Sequence, residues 1–321
     1  MNMDKIRGIS TPNLINRFRG RRILVVGDIM LDRFWIGESG RLSPEAPVPV
    51  VNINQEFISL GGAANVAANI KDLGASPILV GVIGNDIPGK KILEILKNKK
   101  FSYEGIFKTT KRPTTEKIRI IASGQQVARA DREMNGHIDR EIEAKIINFI
   151  SKKIKSCECV VVSDYAKGVI TNRMAKGIID MGKKETKPII VDAKPGNFRY
   201  FRGATIVVPN QKEAFEMSGL ADIKKSAVFI AKKLRCRVLI TRGQNGMTLF
   251  DKGKITHIPV KPRGVYDVSG AGDTVAAVLA LSLVCGGSFS ESAMLANKAA
   301  GIVVAKPGTA TLTLEELIQE I

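Results

Sequence analysis

The chain has 321 residues, 44% hydrophobic and 25% charged, which is ordinary for one large globular domain or two modest ones. Its net charge of +18 would suit binding of either nucleic acid or anionic small molecules. Because only 5% of the residues are aromatic and no basic stripe alternates with stacking rings, we expect a small-molecule partner and no nucleic acid. Four scattered cysteines and two histidines exclude a disulfide framework and a His-rich metal site. Because we find neither an apolar run long enough to span a bilayer nor a recognisable secretory signal, we expect a cytoplasmic protein with no membrane partner.

Apolar runs typical of strands buried on both faces recur along the chain. They cover Ile23–Gly27, Ile78–Val82, Cys159–Ser163, Pro188–Asp192, Thr205–Val208 and Arg237–Thr241. Helices are predicted between them at Ala63–Leu73, Lys90–Lys97, Arg140–Lys155, Asn172–Lys184 and Asp222–Arg235. This alternation predicts an α/β fold, doubly wound around a mainly parallel sheet with helices on both faces. In such folds ligands bind beyond the carboxyl ends of the strands, where we find Asp28, Asp164, Asp192, Asn210 and Arg242.

Two further regions, at about 46–58 and 113–131, alternate polar and apolar residues with a period close to two. The pattern is typical of antiparallel strands with one exposed face. Because these regions interrupt the strand–helix rhythm, we predict that they form a small separate β-sheet, a lid over the site. Exposed strands also pair between subunits, so we expect a homodimer that forms through the lid. Without repeats or linkers, residues 1–321 are predicted to form a single domain.

The first polar motifs follow the first strand and precede the first helix. Carboxylates at Asp28 and Asp32 would accept hydrogen bonds from sugar hydroxyls, although Asp32 also fits a helix cap or a surface residue. Gly61-Gly-Ala-Ala-Asn65 combines a glycine pair, which permits close approach of the backbone to a ligand, with an amide on the same helix face as Asn69. An amide can bind hydroxyls as donor and as acceptor. Alternatively, the glycines permit tight packing and Asn65 caps the helix. The residues alone leave both interpretations open.

The stretch Gly84-Asn-Asp-Ile-Pro-Gly-Lys-Lys91 nearly matches a phosphate-binding P-loop. Lys91 replaces the Ser or Thr that would bind Mg²⁺, Pro88 removes one backbone N–H, and Asp86 would repel phosphate. We therefore interpret this stretch as a turn that leads into a helix.

Two motifs later in the chain suit a nucleotide. Asn210 and Glu213 have the spacing of a helix capping box, and they also supply the hard oxygen atoms that suit Mg²⁺ on a phosphate. Both interpretations remain open. Thr241-Arg-Gly-Gln-Asn-Gly246 offers a turn beside a triphosphate.

The most informative stretch is Asp267-Val-Ser-Gly-Ala-Gly-Asp-Thr274, directly before an apolar helix. Gly270, Ala271 and Gly272 lie at the helix N-terminus, where backbone N–H groups without intrahelical partners favour an anion. A carboxylate beside an anion site makes sense if Asp273 takes a proton from a hydroxyl that attacks a phosphoryl group held by those amides. A plain turn with Asp273 as a first-turn acid is the structural alternative.

These elements follow one fixed order, from Asp28 through the glycine pair, the Asn210 motif and the Thr241 turn to Asp273. That order, from Arg22 to the C-terminus, resembles the ribokinase-like (PfkB) carbohydrate kinases. The resemblance implies a doubly wound α/β domain with a small β lid, ATP as phosphoryl donor and Mg²⁺. It also implies a monovalent cation such as K⁺ beside Asp267 and Ser269.

Four stretches are similar, more narrowly, to the bacterial heptose-7-phosphate kinases. They are Gly27–Trp35, Arg41–Val50, Ser163–Gly168 and Val265–Thr274. This similarity implies phosphorylation of the anomeric hydroxyl of a heptose 7-phosphate, on the route to ADP-heptose for lipopolysaccharide. Because the chain stops at Ile321, we expect a stand-alone kinase, with the adenylyltransferase step elsewhere. Another sugar or nucleoside kinase of the family, or a non-catalytic sugar-binding module, is the alternative.

The resemblance also distributes roles over individual residues. Asp273 is expected to act as the base, with the amides of Gly270, Ala271 and Gly272 around the developing charge. Sugar hydroxyls are expected at Asp28, Asp32, Gly61, Gly62 and Asn65, and a distal phosphate at Arg129, Lys167 and Lys194, each of which could equally be a surface charge. ATP is expected at Asn210, Gln211, Lys212, Glu213, Thr241, Arg242, Gly243 and Asn297, with Asn210 and Glu213 holding Mg²⁺ indirectly.

Overall fold

The computed structural model describes residues 11–260 and 264–321, which form ten α-helices and 13 strands. The helices are α1 (Thr11–Asn16), α2 (Ala63–Asp72), α3 (Ile87–Asn98), α4 (Arg140–Lys153), α5 (Asn172–Lys184), α6 (Gln211–Ser218), α7 (Ile223–Leu234), α8 (Ala271–Val284), α9 (Phe289–Val303) and α10 (Leu314–Gln319). The strands are β1 (Arg22–Gly27), β2 (Ile29–Leu42), β3 (Pro49–Gly62), β4 (Ser76–Gly84), β5 (Ile106–Thr109), β6 (Thr115–Ala122), β7 (Gln125–Arg132), β8 (Cys159–Asp164), β9 (Ile189–Ala193), β10 (Ile206–Val207), β11 (Arg237–Thr241), β12 (Met247–Asp251) and β13 (Lys254–Ile258).

Nine strands form one twisted sheet in the order β13-β12-β11-β10-β9-β8-β1-β4-β5. All neighbours are parallel except β11–β12 and β12–β13, which are antiparallel. Val25 in β1 lies opposite Leu79 in β4 and Val161 in β8. Since the parallel strands run in one direction, their carboxyl ends meet along one edge, which carries the site described below.

Two hydrophobic cores lie on opposite faces of this sheet. Successive side chains of a strand point to opposite faces, so Ile23 and Val25 enter one core while Leu24 and Val26 enter the other. The first core contains α2, α8 and α9, and the second contains α4, α5 and α7. Helix α8 is apolar around most of its circumference because it packs between the sheet and two other helices.

The remaining four strands form the small sheet, in the order β3-β2-β6-β7. Strand β2 pairs antiparallel with β3 and parallel with β6, and β6 pairs antiparallel with β7. Strand β2 has 14 residues and connects the two sheets, since it is buried near Ile29 and exposed near Leu42. Every residue of β7 is exposed.

The structure confirms the α/β class and most of the predicted buried strands and helices. It corrects the region after Gly27, where β2 was not predicted, because its bulges break the alternation expected of a strand. The predicted turn at Gly84–Lys91 does lead into α3, and Asp86 caps that helix by accepting the N–H of Gly89. No helix within residues 11–260 and 264–321 combines the length and apolarity needed to cross a bilayer. The prediction that no secretory signal is present concerns residues 1–10, outside the described residues.

Candidate active site

Gly270 opens the helix that carries the proposed base. Its backbone is left-handed, with φ of 79°, and a Cβ atom there would lie 2.6 Å from Nδ2 of Asn65, so only glycine fits. The N–H of Ala271 donates to a carbonyl of the preceding turn over 3.3 Å. Among the described residues, the N–H groups of Gly270 and Gly272 have no such acceptor. Two amides of the predicted three are therefore free to hold an anion at this helix terminus.

Asp273 is 1% exposed, and both of its carboxylate oxygens accept hydrogen bonds. Asn65 Nδ2 donates to Oδ2 at 2.8 Å, and the Tyr165 hydroxyl donates to Oδ1 at 3.1 Å. Burial raises the pKa of Asp273 to about 7; the two hydrogen bonds oppose that rise, and the charge of Asp32 adds to it. A carboxyl group with a pKa near neutrality can take a proton from a hydroxyl at physiological pH. This environment suits a general base.

Two cavities meet at the first turn of α8. The polar cavity, of about 450 Å³, is lined mainly by charged and polar side chains and includes Gly270 and Asp273. The apolar cavity, of about 530 Å³, includes Ala271 and Gly272 and is lined mainly by apolar atoms. A group transferred from one cavity to the other passes the free amides and the Asp273 carboxylate.

Asp32 supplies a second carboxylate to the polar cavity and is 4% exposed. Arg119 donates to its Oδ1 at 2.6 Å, and the Thr309 hydroxyl donates to its Oδ2 at 3.2 Å. A Cβ atom on Gly61 would lie 2.5 Å from Oδ2, so glycine leaves the room that this carboxylate occupies. The interpretation of Asp32 as a cap or surface residue was therefore wrong, because the residue lies inside β2.

Two asparagines of α2 are buried on the face that packs against α8. Gly62, with φ of 58°, lines the polar cavity and precedes the helix, so Asn65 lies inside the first turn and is not its cap. Asn69 donates to the carbonyl of Asn65 at 3.0 Å and accepts the Thr274 hydroxyl at 2.9 Å. Together with the Asn65–Asp273 bond, these contacts fix the start of α8 against α2.

Asp28 does not line the polar cavity, which corrects its predicted contact with sugar hydroxyls. Its Oδ2 accepts the backbone N–H groups of Tyr165 at 2.8 Å and Lys167 at 3.1 Å, and its Oδ1 accepts that of Val169 at 3.2 Å. A carboxylate that is 1% exposed and engaged by three amides anchors the chain around it. Asp28 therefore holds the loop after β8, and Asp32 is the carboxylate that faces the cavity.

The polar cavity is lined by five basic side chains: Lys117, Arg119, Arg129, Lys167 and Lys194. Three of them form a charged network with Asp131 and Glu133. Lys117 Nζ lies 3.1 Å from Asp131 and 3.5 Å from Glu133, Arg129 Nε lies 2.9 Å from Asp131, and Lys167 Nζ lies 2.6 Å from Glu133. Three positive and two negative side chains leave this network with a net charge of +1. An anion would add the counter-charge that the network lacks.

Lys194 contacts a different set of groups. Its ammonium forms an ion pair with Glu213 and lies 5.0 Å from the centre of the Tyr165 ring. Burial lowers the pKa of Lys194, but the carboxylates of Asp192 and Glu213 raise it more, so the ammonium stays charged. Glu213 also forms a capping box with Asn210, each accepting the other's backbone N–H at 2.9 Å. The contacts of Asn210 and Glu213 are therefore those of the helix capping box.

The other predicted nucleotide residues divide into two groups. Thr241, Gly243 and Asn297 line the apolar cavity, and the Asn297 amide donates to the Pro259 carbonyl at 2.9 Å. Arg242 lies outside that lining, with a guanidinium nitrogen 3.4 Å from Nδ1 of His257. Neither cavity is lined by Asn210, Gln211, Lys212 or Glu213.

The predicted cation positions offer few ligands of their own. Ser269 N–H donates to Asp267 Oδ1 at 2.8 Å. In residues 11–260 and 264–321, no group of three or more His, Cys, Asp or Glu side chains could hold a metal ion. Asp192 lies beside the glycine turn, since its Oδ2 would be 3.6 Å from a Cβ on Gly272; burial, then repulsion by Glu213, raises its pKa to about 8.

Five residues that line the polar cavity were missed by sequence reasoning: Met30, Lys117, Arg119, Tyr165 and Thr309. Tyr165 carried a signal, because it lies directly after a buried strand. Lys117 and Arg119 are two apart in β6 and therefore share a face, which the exact strand bounds would have shown. Thr309 lies in an irregular segment without a detectable pattern.

Known proteins resemble this chain in sequence and in structure. The family model described as pfkB family carbohydrate kinase matches residues 21–317. "Bifunctional protein HldE" of Geotalea uraniireducens (strain Rf4) is 41% identical over 316 residues and 96% of this chain, and that of Wolinella succinogenes is 42% identical over 303 residues and 92% of this chain. The chain spans 64% of the length of each of these two relatives.

Solved structures extend the comparison to the fold. Arabidopsis thaliana ribokinase complexed with ribose and ATP has a TM-score of 0.74 at 21% identity and covers 94% of this chain and 98% of its own. Phosphofructokinase-2 from Escherichia coli in complex with potassium has a TM-score of 0.74 at 18% identity, with 94% and 97% covered. The predicted ribokinase-like α/β fold is thereby confirmed.

Proposed function

This chain belongs to the pfkB family of carbohydrate kinases and is an ATP-dependent kinase, and we propose that it phosphorylates the anomeric hydroxyl of D-glycero-D-manno-heptose 7-phosphate. The product is the 1,7-bisphosphate, a precursor of the ADP-heptose used for lipopolysaccharide. The narrower motifs support heptose 7-phosphate, and so does the cationic lining of the polar cavity.

The observation that carries the proposal is the meeting of two unlike cavities at one catalytic turn. The polar cavity contains hydroxyl-binding carboxylates and basic side chains, as a sugar phosphate requires. Val265 and Val268 line the apolar cavity although they are 61% and 68% exposed, so a flat nucleotide base would cover them. Asp273 and the amides of Gly270 and Gly272 lie between the two.

The proposed chemistry is an in-line attack of the anomeric hydroxyl on the γ-phosphorus of ATP. Asp273 accepts the hydroxyl proton as the oxygen–phosphorus bond forms and the bond to ADP breaks. The N–H groups of Gly270 and Gly272 donate to the phosphoryl oxygens, whose negative charge they stabilise in a buried site. Lys194 raises the positive charge on the same side of the cavity, and it favours ionised Asp273. We therefore propose that Lys194 interacts with the phosphoryl group in transfer and not with the distal phosphate.

The charged network is the proposed site of the 7-phosphate. Arg129 and Lys167, both expected for this role, are joined there by Lys117. Basic residues bind phosphate through charge-assisted hydrogen bonds, and Arg129 adds a planar fork of donors. Because Lys117 and Arg129 lie on the small sheet and Lys167 on the main body, the phosphate would bind across both and hold the sheet as a lid.

The donor is proposed to bind with its base in the apolar cavity, near Thr241, Gly243 and Asn297. Mg²⁺ neutralises phosphate charge when it is bound, and Asn210 and Glu213 would hold it only through water because their capping box occupies them. A monovalent cation beside Asp267 and Ser269 stays a prediction.

We also propose a homodimer that forms through the small sheet. Strand β7 is at the edge of that sheet, and all eight of its residues are exposed. An exposed edge strand offers unpaired backbone groups to another chain. Sedimentation or light scattering of the protein with charge-reversed β7 side chains tests this assembly.

A substrate panel tests the function. ADP release is measured with heptose 7-phosphate, sedoheptulose 7-phosphate, fructose 6-phosphate, ribose and adenosine, and heptose 7-phosphate is expected to give the highest kcat/KM. Asp273→Asn should lower kcat by about 10² or more while ATP still binds. A preference for an unphosphorylated sugar would defeat the heptose phosphate and leave the family activity. Unchanged kcat in Asp273→Asn would defeat the assignment of the base.

A further inference from the structure

Tyr165 touches both proposed catalytic groups of the polar cavity. Its hydroxyl donates to Oδ1 of Asp273 at 3.1 Å, and its ring lies 5.0 Å from the Lys194 ammonium. We propose that Tyr165 is a positioning residue, which orients the Asp273 carboxylate with its hydroxyl and seats Lys194 on its ring. This inference rests on the proposed function, in which Asp273 is the base.

The loop that carries Tyr165 is held by two buried carboxylates. Asp28 accepts the N–H of Tyr165 and, further along, those of Lys167 and Val169. Oδ1 of Asp164 accepts the N–H of Ala166 at 2.9 Å. These bonds hold Ala166 in the left-handed region, with φ of 57°, which a residue with a side chain adopts only under constraint.

Burying two carboxylates for one short loop is unfavourable by itself. Asp28 and Asp164 are each 1% exposed, and neither forms an ion pair within the described residues. Burial, and then the charge of Asp28, raises the pKa of Asp164 to about 7. Because tertiary contacts hold both buried carboxylates in place, the loop that they bind is fixed, and the Tyr165 side chain on that loop is positioned accurately.

The charges around Asp273 determine what the tyrosine hydroxyl does. Asp32 from β2 repels the ionised carboxylate and Lys194 after β9 attracts it, while the charge of Asp273 in turn raises the pKa of Asp192 on β9. Asn65 from α2 and Tyr165 donate hydrogen bonds to it. Burial, and then the charge of Asp273, raises the pKa of Tyr165 well above its usual value, so the phenol remains a donor throughout the working pH range. Its bond therefore favours the ionised base.

Tyr165→Phe removes the hydroxyl and keeps the ring under Lys194. A hydrogen bond to a charged group is worth about one to two pKa units, so the pKa of Asp273 should rise by that amount. Because only the ionised base accepts a proton, the acidic limb of the kcat–pH profile should move up by about one to two pH units. Starting from a pKa near 7, kcat at pH 7 should fall roughly 5- to 50-fold, and most of the loss should disappear at pH 9. KM for ATP should stay unchanged.

Tyr103→Phe is the matched control, because Tyr103 is 55% exposed and outside both cavities. It should reproduce the wild-type profile, and circular dichroism should show that both variants fold. An unmoved acidic limb in Tyr165→Phe, with or without an equal loss of kcat at every pH, would overturn the inference. A wild-type protein that accepts a different sugar would contradict the proposed substrate alone, since the pH profile can be measured with whichever sugar is used.

Discussion

Replacing Lys117 by Met should separate recognition of the distal phosphate from catalysis. Lys117 is 13% exposed and neutralises both Asp131 and Glu133, so its loss changes the network charge from +1 to 0. An ammonium and an anionic oxygen about 4 Å apart interact by ~4 kcal/mol at an effective dielectric constant of about 20, and partial solvent screening reduces this to about 1.5–3 kcal/mol. That range corresponds to roughly a 10- to 150-fold loss of kcat/KM for heptose 7-phosphate.

The assay compares kcat/KM for heptose 7-phosphate with that for the unphosphorylated heptose, by coupled ADP release. The unphosphorylated sugar should lose little, because it makes no contact that Lys117 provides. Lys145→Met is the matched control, since it also removes one positive charge but from a surface pair with Glu141 on α4, where Lys145 is 58% exposed. Equal losses for the two sugars, or no loss for the phosphorylated one, would refute the placement of the 7-phosphate.

Two further substitutions test the backbone of the site. Gly270→Ala should destabilise the protein by about 1–3 kcal/mol in denaturant unfolding and lower kcat at least tenfold. The control is Gly253→Ala, where φ is 87° and no atom lies within 4 Å of the Cβ position, so this variant should lose stability and keep its kcat. Equal kcat values for the two variants would contradict the role of the Gly270 backbone. Asp28→Ala leaves three backbone N–H groups without their acceptor, so the free energy of unfolding should fall by roughly 3 kcal/mol or more and kcat should fall with KM for ATP unchanged. Full stability and activity in that variant would show that Asp28 is not an anchor.

The periodicity of the chain was enough to predict the large sheet, because buried parallel strands such as Cys159–Asp164 are continuous apolar runs. Strand β2 was beyond this reasoning, since it begins in the core and ends in solvent and contains two register shifts. That omission hid the difference between Asp28 and Asp32, both of which were expected to bind sugar hydroxyls. One residue beyond β1, Asp28 meets the loop after β8, whereas Asp32 projects from β2 into the cavity, and only the register between the two sheets distinguishes them.

The basic residues illustrate a second limit of sequence reasoning. Lys167 pairs with Glu133, 34 residues away, and Arg119 pairs with Asp32, 87 residues away. No local spacing connects these partners, because strand pairing and crossover connections bring them together. Lys194 shows the same effect, since it pairs with Glu213 on α6, 19 residues away.

The Asp32–Arg119 pair connects the small sheet to the proposed base. Asp32 raises the pKa of Asp273 by repulsion, and Arg119, from β6 of the small sheet, holds its guanidinium 2.6 Å from the Asp32 carboxylate. Because a nearby cation reduces the field of a carboxylate, Arg119 weakens the repulsion that Asp32 exerts on Asp273, and the pairing of β2 with β6 keeps the two side chains together. The β6 strand also carries Lys117 in the charged network. The strand that would bind the distal phosphate through Lys117 therefore also carries the cation that favours the ionised base.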